Sequence, residues 1–155
     1  MIIIREKVLI CGKQNHLQSY PLLNFFECLK LRVKTFVVDQ KRIYQEVDDN
    51  DPRAIHIFDW EDGHVIAYAR VFQTDADTVT FGRVVTDDAH RGTGLGNALM
   101  DQIMTVIKQH DAGLTIAIEA QVQVQGYYRK FEFETAGETF IFNSTPHIKM
   151  VHQAL

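Results

Sequence analysis

Cysteine is almost missing from this chain: Cys11 and Cys28 are the only two in 155 residues. Two thiols with no Cys-x-x-Cys spacing exclude a disulfide framework and are expected to stay free in a reducing compartment, so the expected location is cytoplasmic. Proline is equally scarce. Pro21, Pro52 and Pro146 stand far apart, and no Pro- or Gly-rich linker, internal repeat or low-complexity tract divides the chain, which points to a single domain over residues 1–155. Long apolar runs are absent as well. The opening Met1-Ile2-Ile3-Ile4 is followed at once by Arg5, Glu6 and Lys7, unlike a secretion signal, and no stretch approaches the ~20 apolar residues of a membrane-spanning helix. Nor is positive charge in excess. With 16 Lys and Arg against 20 Asp and Glu, the formal charge is -4, the wrong field for a nucleic-acid or anionic-membrane partner.

What is present is an ordinary globular composition, 46% hydrophobic and 23% charged. At this length one core buries roughly 70% of the unfolded surface, so no structural metal is needed. Pro21 suits a first helical turn, and Leu22, Phe25, Phe26, Leu29, Val33, Phe36 and Val37 recur at helical spacing, predicting a helix with a core face to about Val38. A short second helix is expected next, then a loop over Glu46-Val47-Asp48-Asp49-Asn50-Asp51 ending at Pro52. Two β-rich runs, Ala54 to Trp60 and Val65 to Phe72, flank the hairpin signal Glu61-Asp62-Gly63-His64, and Thr78 to Thr86 adds a third strand. Leu95, Leu99, Ile103, Val106 and Ile107 mark one face of a helix from about Gly94 to His110, with Gly113 available as a left-handed cap. Leu114 to Ala120 reads as a buried strand in parallel pairing with an earlier one. Gln123 to Lys130 reads as a short helix, and Thr135 to Phe142 with His147 to His152 as closing strands around a turn at Asn143 to Pro146. The expected order is mixed α/β, an antiparallel meander followed by a β-α-β crossover.

The most specific segment is Arg91-Gly92-Thr93-Gly94-Leu95-Gly96, between a predicted strand and an amphipathic helix. The first N–H groups of a helix lack intrahelical partners and lie at the positive end of its dipole, so they attract phosphate. Glycines let a pyrophosphate approach the backbone, and Arg91 supplies a charged fork. A diphosphate-bearing cofactor fits this site; a plain tight turn is the alternative. The spacing is wrong for a dinucleotide Gly-x-Gly-x-x-Gly, and no Gly-Lys-Ser/Thr completes a Walker loop.

This segment, after Val84-Val85-Thr86, resembles the Arg/Gln-x-x-Gly-x-Gly/Ala signature of the Gcn5-related N-acetyltransferases (GNATs). Tyr127-Tyr128-Arg129-Lys130-Phe131-Glu132-Phe133 resembles that superfamily's second motif, a helix with a Tyr that ends in Gly-Phe. The blocks Leu31-Arg32-Val33, Phe36-Val37-Val38-Asp39-Gln40, Tyr44-Gln45-Glu46-Val47-Asp48, Gly82-Arg83-Val84, Glu119-Ala120-Gln121 and Pro146-His147-Ile148 resemble its ElaA-like branch. The likeness covers about residues 22 to 150 and leaves the segment before Tyr20 without a role. It implies an α/β (α+β) fold: a mixed, mostly antiparallel central sheet of about six or seven strands, about four helices, and two splayed parallel strands that hold the cofactor. It also implies acetyl-CoA as co-substrate, its pyrophosphate on Arg91, Gly92, Thr93, Gly94, Leu95 and Gly96, and its pantetheine arm along the main chain of Val84, Val85 and Thr86. Two departures stand out. Glu132 replaces the usual Gly before Phe133, and Gln121 lies near a position where many members have Asn.

Acetyl transfer to an amine needs a neutral nucleophile, a stabilised oxyanion and a proton for the leaving thiolate. Tyr128 matches the family's acid, with an ordinary pKa of ~10 against ~8.5 for a thiol; packing alone is its alternative role. A lysine-like amine of pKa ~10.4 is neutral in only about one molecule in 2,500 at pH 7, whereas an α-amine near 7.8 is neutral in roughly 15%, so the demand for a base depends on substrate. Glu46, Asp48 and Glu119 are candidate bases, and His56 and His147 titrate in the right range to relay protons. The resemblance gathers Arg32, Gln45, Glu46, Asp48 and Arg83 at the acceptor site, either as a mixed-charge pocket or as an internal ion-pair network; Arg70 fits a structural pair equally well.

The expected function is therefore transfer of acetyl from acetyl-CoA directly to a primary amine of a small molecule or peptide, with no metal, no nucleic acid and no membrane involved. A sensor that binds acyl-CoA with little turnover is the rival from another class, and an NAD-dependent oxidoreductase is a third. The resemblance also allows a homodimer, although the sequence marks no interface.

Overall fold

The computed structural model describes residues 8–10 and 20–155, with side chains described from Leu23 onward; Cys11 and most of the segment before Tyr20 lie outside the described residues. Helix α1 (Tyr20–Val33) continues as a π-helical turn (Lys34–Asp39). The helical stripe in the sequence is wider than the face that packs. Cys28 and Leu31 are buried and Phe25 meets the His56 ring, but Phe26 and Val33 are exposed, so these two do not belong to the core face expected of them. The expected second helix does not form. Residues 40–50 run irregularly into a 3₁₀ turn (Asp51–Arg53); at residues 48–50 Asp48 accepts from the Asn50 N–H at 2.9 Å, a local turn in place of a helical one.

The sheet has eight strands among the described residues: β1 (Val8–Ile10), β2 (Ile55–Glu61), β3 (His64–Gln73), β4 (Thr78–Thr86), β5 (Thr115–Gln121), β6 (Glu134–Thr135), β7 (Phe140–Phe142) and β8 (Thr145–His152). Their spatial order is β1-β2-β3-β4-β5-β8-β6, with β7 also on β8. All pairings are antiparallel except β4 with β5. The count exceeds the expected six or seven because β6 and β7 divide one predicted strand and β1 adds an edge. Asp62 and Gly63 both have positive φ, the geometry of a two-residue hairpin turn. Asn143 and Ser144 turn the second hairpin in the same way, so Pro146 lies inside β8 rather than in the turn.

Helix α2 (Leu95–His110) makes the crossover from β4 to β5, and the short helix α3 (Gln125–Arg129) follows β5. The Leu/Ile stripe predicted for α2 is the one it buries: Leu95, Leu99, Ile103, Val106 and Ile107 lie against Val71, Val79, Phe81, Ile116 and Ile118. Each such side chain contributes roughly 1.5–3 kcal/mol, which makes this face the rigid platform of the molecule. Helix α1 covers the opposite face, where Cys28, Leu31, Phe58, Val65, Tyr68 and Val85 form a second, smaller core. No helix of the structure is long and apolar enough to cross a membrane, among the described residues.

Candidate active site

Strands β4 and β5 pair only at Thr78 with Thr115 and at Val79 with Ile116. Beyond these two positions they separate, although β4 runs on to Thr86 and β5 to Gln121. Each keeps its outer partner, β3 and β8 respectively, so two inner main-chain edges face a V-shaped opening. A bulge in β4 accompanies the split. Arg70 pairs with Gly82 and Tyr68 with Val85, leaving Arg83 and Val84 opposite Ala69. Arg83 takes the left-handed region at φ 56°. The extra residue also changes the facing of the strand: Phe81 and Val84 join the α2 core, while Val85 joins the α1 core.

At the wide end of the V, β4 passes through a short 3₁₀ turn (Asp88–His90) into the glycine loop. Gly92 and Gly94 have φ of 75° and 92°, positions that an L side chain rarely adopts, and Gly94 caps α2. Thr93 fastens the loop by donating its hydroxyl to the His90 carbonyl at 2.7 Å. Leu95 is buried, and the first turn of α2 holds no acidic residue, so the positive helix end stays uncompensated. Arg91 is exposed and pairs with Asp88 at 2.8 Å. Such an exposed pair is worth little and leaves Arg91 available to an arriving anion.

The two tyrosines of α3 take different roles. Tyr127 donates its hydroxyl to the Gly96 carbonyl at 2.9 Å, tying α3 to the first turn of α2; burial pushes its pKa up to about 12. Tyr128 packs against Phe81 and Phe133 on the α2 side of the V. Its hydroxyl hydrogen-bonds to none of the described residues, and burial, with a smaller contribution from Tyr127, raises its pKa well above the ordinary phenol. It therefore stays protonated at neutral pH, with an O–H that has no partner among the described residues.

On the α1 face, the acidic loop closes over three arginines. Arg32 is fully buried and donates from Nε to Glu46 Oε1 at 2.9 Å, from Nη1 and Nη2 to Asp51 at 2.8 and 3.1 Å, and from Nη1 to the Tyr68 hydroxyl at 3.2 Å. Arg70 forms a fork on Asp48, both contacts at 2.7 Å, and reaches Asp51 at 2.8 Å. Arg83 donates from Nε to the same Glu46 Oε1 at 2.8 Å. Three guanidinium groups thus meet three carboxylates. His56 completes the layer: Nε2 donates to the Asp51 carbonyl at 2.9 Å, which leaves Nδ1 to accept from the Tyr68 hydroxyl at 2.6 Å. Of the residues expected at an acceptor pocket, the structure brings together Arg32, Glu46, Asp48, Arg83 and His56. Gln45 stays apart, exposed, donating to the Val47 carbonyl. Arg32, Glu46 and His56 are enclosed, while the side chains of Arg83 and Asp48, 18% and 29% exposed, form the accessible rim.

Glu119 occupies a different place. Strand β5 alternates, with Ile116, Ile118 and Ala120 in the α2 core, so Glu119 and Gln121 project from the α1 face. Glu119 is exposed and without a side-chain partner among the described residues. Gln121 donates to Gln40 at 3.4 Å, linking the end of β5 to the segment after α1. His147, opposite Gln121 on β8, is buried between Phe140 and Phe142. Its Nδ1 donates to the Thr145 carbonyl at 2.8 Å, leaving Nε2 as an acceptor. Asp51 and Tyr68 also belong to the buried arginine network. Only the Asp-Pro step at 51–52 marked the first, and Tyr68 in an apolar strand gave no signal.

An open V between parallel strands, ending at a glycine-built helix N-terminus, is the arrangement of a known family. The sequence model described as the acetyltransferase (GNAT) domain matches residues 26–154. The chain belongs to the GNAT family. Protein ElaA of Escherichia coli K12 is 30% identical over 144 residues, 90% of this chain and 94% of that protein. The crystal structure of E. coli ElaA superposes with a TM-score of 0.80 at 30% identity, covering 85% of this chain and 92% of that one. An acyl-CoA N-acyltransferase from Pseudomonas aeruginosa gives a TM-score of 0.80 at 34% identity, covering 86% and 92%. A CoA-dependent acyl-homoserine lactone synthase solved with SAM and isopentyl-CoA, 13% identical with a TM-score of 0.74, shares the fold alone. The GNAT assignment makes the protein an acyltransferase.

Proposed function

We propose that this GNAT protein is an acetyl-CoA-dependent N-acetyltransferase of the cytoplasm that moves acetyl directly to a primary amine of a small molecule or peptide. The observation that carries the reading is the separation of β4 from β5 beside a helix opened by two left-handed glycines. The inner edge of Val84, Val85 and Thr86 would pair with the amide groups of the pantetheine arm, as a strand would. The α2 N–H groups, with Arg91, Gly92, Thr93, Gly94, Leu95 and Gly96, would hold the pyrophosphate.

The two faces of the sheet divide the chemistry. Tyr128 stands on the α2 face and Glu119 on the α1 face. The amine nitrogen attacks the thioester carbonyl carbon; the C–N bond forms, the C–S bond breaks, and the amine's surplus proton passes to Glu119 directly or through water. Tyr128 donates a hydrogen bond to the departing sulfur. Because its pKa is raised above ~10 and an ordinary thiol lies near 8.5, complete proton transfer from Tyr128 would be uphill, so stabilisation of the thiolate by that bond is its main contribution. His147 Nε2 is a further acceptor on the amine side.

CoA release with a panel of amino sugars, polyamines, amino acids and peptide N-termini tests the reading. Tyr128→Phe is expected to lower kcat about 100-fold, a usual contribution of one positioned donor, with CoA affinity nearly unchanged. Equal rates would remove Tyr128 from the chemistry. Tight CoA binding with no turnover on any amine would identify an acyl-CoA sensor instead.

A further inference from the structure

The left-handed residue of the β4 bulge is an arginine, although Gly82 stands next to it with no such strain. A side chain in that region is sterically strained and persists only where the surroundings hold it. Here the holding groups are visible. Arg83 Nε donates to Glu46 Oε1 at 2.8 Å, Nη2 donates to the Glu46 carbonyl at 3.1 Å, and Nη2 lies 3.5 Å from Asp48 Oδ2. The guanidinium stacks over the Tyr44 ring, 5.5 Å from its centroid. Glu46 is fixed in turn by Arg32, which grips the same Oε1 and the same carbonyl, at 2.9 and 3.3 Å, from a fully buried position on α1. The bulge is therefore tied through one buried carboxylate to helix α1, which covers the same face of the sheet.

We infer that Arg83 is a positioning residue: its side chain, clamped by Glu46, holds the β4 bulge so that the inner edge of Val84 to Thr86 faces the donor. This inference rests on the transferase reading for its kinetic consequence but not for its structural one. It differs from a role in acceptor binding, because Nε and Nη2 are held by Glu46 and only Nη1 is without a partner among the described residues. A misplacement of about 1 Å at a reacting centre can cost around 100-fold in rate, so loss of the clamp should appear in turnover.

Arg83→Gly separates the possibilities, since glycine accepts the left-handed backbone and removes only the clamp. The expected result is at least 10-fold faster hydrogen exchange at the amides of Asp87, which donates to the Ile66 carbonyl at 2.8 Å, and of Val85, two residues earlier on the same edge, with those of β2 and β8 unchanged. With it should come a kcat lower by about 30- to 100-fold for two unrelated amines alike. Glu46→Gln, which keeps the shape and leaves Arg83 in place, should show the same pattern more weakly. Unchanged exchange at the Val85 and Asp87 amides in both variants would overturn the clamp. A rise in acceptor KM at constant kcat would overturn it in favour of direct substrate contact. A wild-type protein without turnover, but with the exchange difference present, would leave the clamp standing and defeat the transferase reading instead.

Discussion

Glu132 shows what a single residue can cost. It occupies φ 65° just after α3, where the Phe133 N–H returns to the Tyr128 carbonyl at 3.3 Å and ends the helix. The family motif has glycine at this step, and the side chain here is exposed, with His152 Nε2 3.9 Å away. Glu132→Gly should therefore stabilise the fold by about 0.5–1 kcal/mol, the left-handed penalty less the extra freedom glycine gives the unfolded chain. Chemical denaturation of the two proteins measures this; a less stable variant would mean that Glu132 makes a compensating interaction. The departure from the motif was visible in the sequence, and the helix end it required is present. Tyr128 could be singled out in the same way. Its division of labour with Tyr127 could not, because nothing in two adjacent tyrosines says which hydroxyl meets the Gly96 carbonyl.

At the scale of elements, the strands of the meander and helix α2 were legible because their apolar periods survive in the fold. The Asp-Gly turn of the first hairpin and the two left-handed glycines before α2 were legible because glycine is needed there. The bulge was not, since its left-handed residue is Arg83 and a tertiary clamp stands in for the local signal. The loop over residues 40–53 was half legible: its acidic character was plain, but its partners come from α1, β2, β3 and β4. Docking of this loop predicts a pH dependence. Burial by itself would raise the Asp51 pKa, but the hydrogen bonds from Arg32, the Asp48 N–H and Arg70 bring it down to about 2. Its contribution, on the order of 2 kcal/mol, is thus present above pH ~4 and is lost as pH falls towards 2. Burial lowers the His56 pKa below the ordinary value, so the unfolded chain takes up this proton first, and stability begins to fall already below about pH 6.5. Thermal melts between pH 7 and 3 should show Tm declining through both ranges; a constant Tm down to pH 3 would contradict the buried network.

For the whole molecule, a formal charge of -4 conceals an ordered distribution. In the acidic loop Glu46, Asp48 and Asp51 are paired internally with Arg32, Arg70 and Arg83, while the N-terminus of α2 and Arg91 leave a small positive site where β4 ends. The sheet separates the two faces, with Tyr128 on the side of α2 and α3 and Glu119 on the side of α1, so donor and acceptor can approach the V from opposite directions. The central claim, that the β4 edge and the glycine loop hold the acyl-CoA, is tested most directly by amide-resolved NMR titration of the wild-type protein with acetyl-CoA. Saturable shifts are expected to concentrate at Val84 to Thr86 and Arg91 to Gly96, with β2 little affected. Shifts confined to the α1 face or the β2–β3 hairpin, or none at millimolar acetyl-CoA, would contradict it.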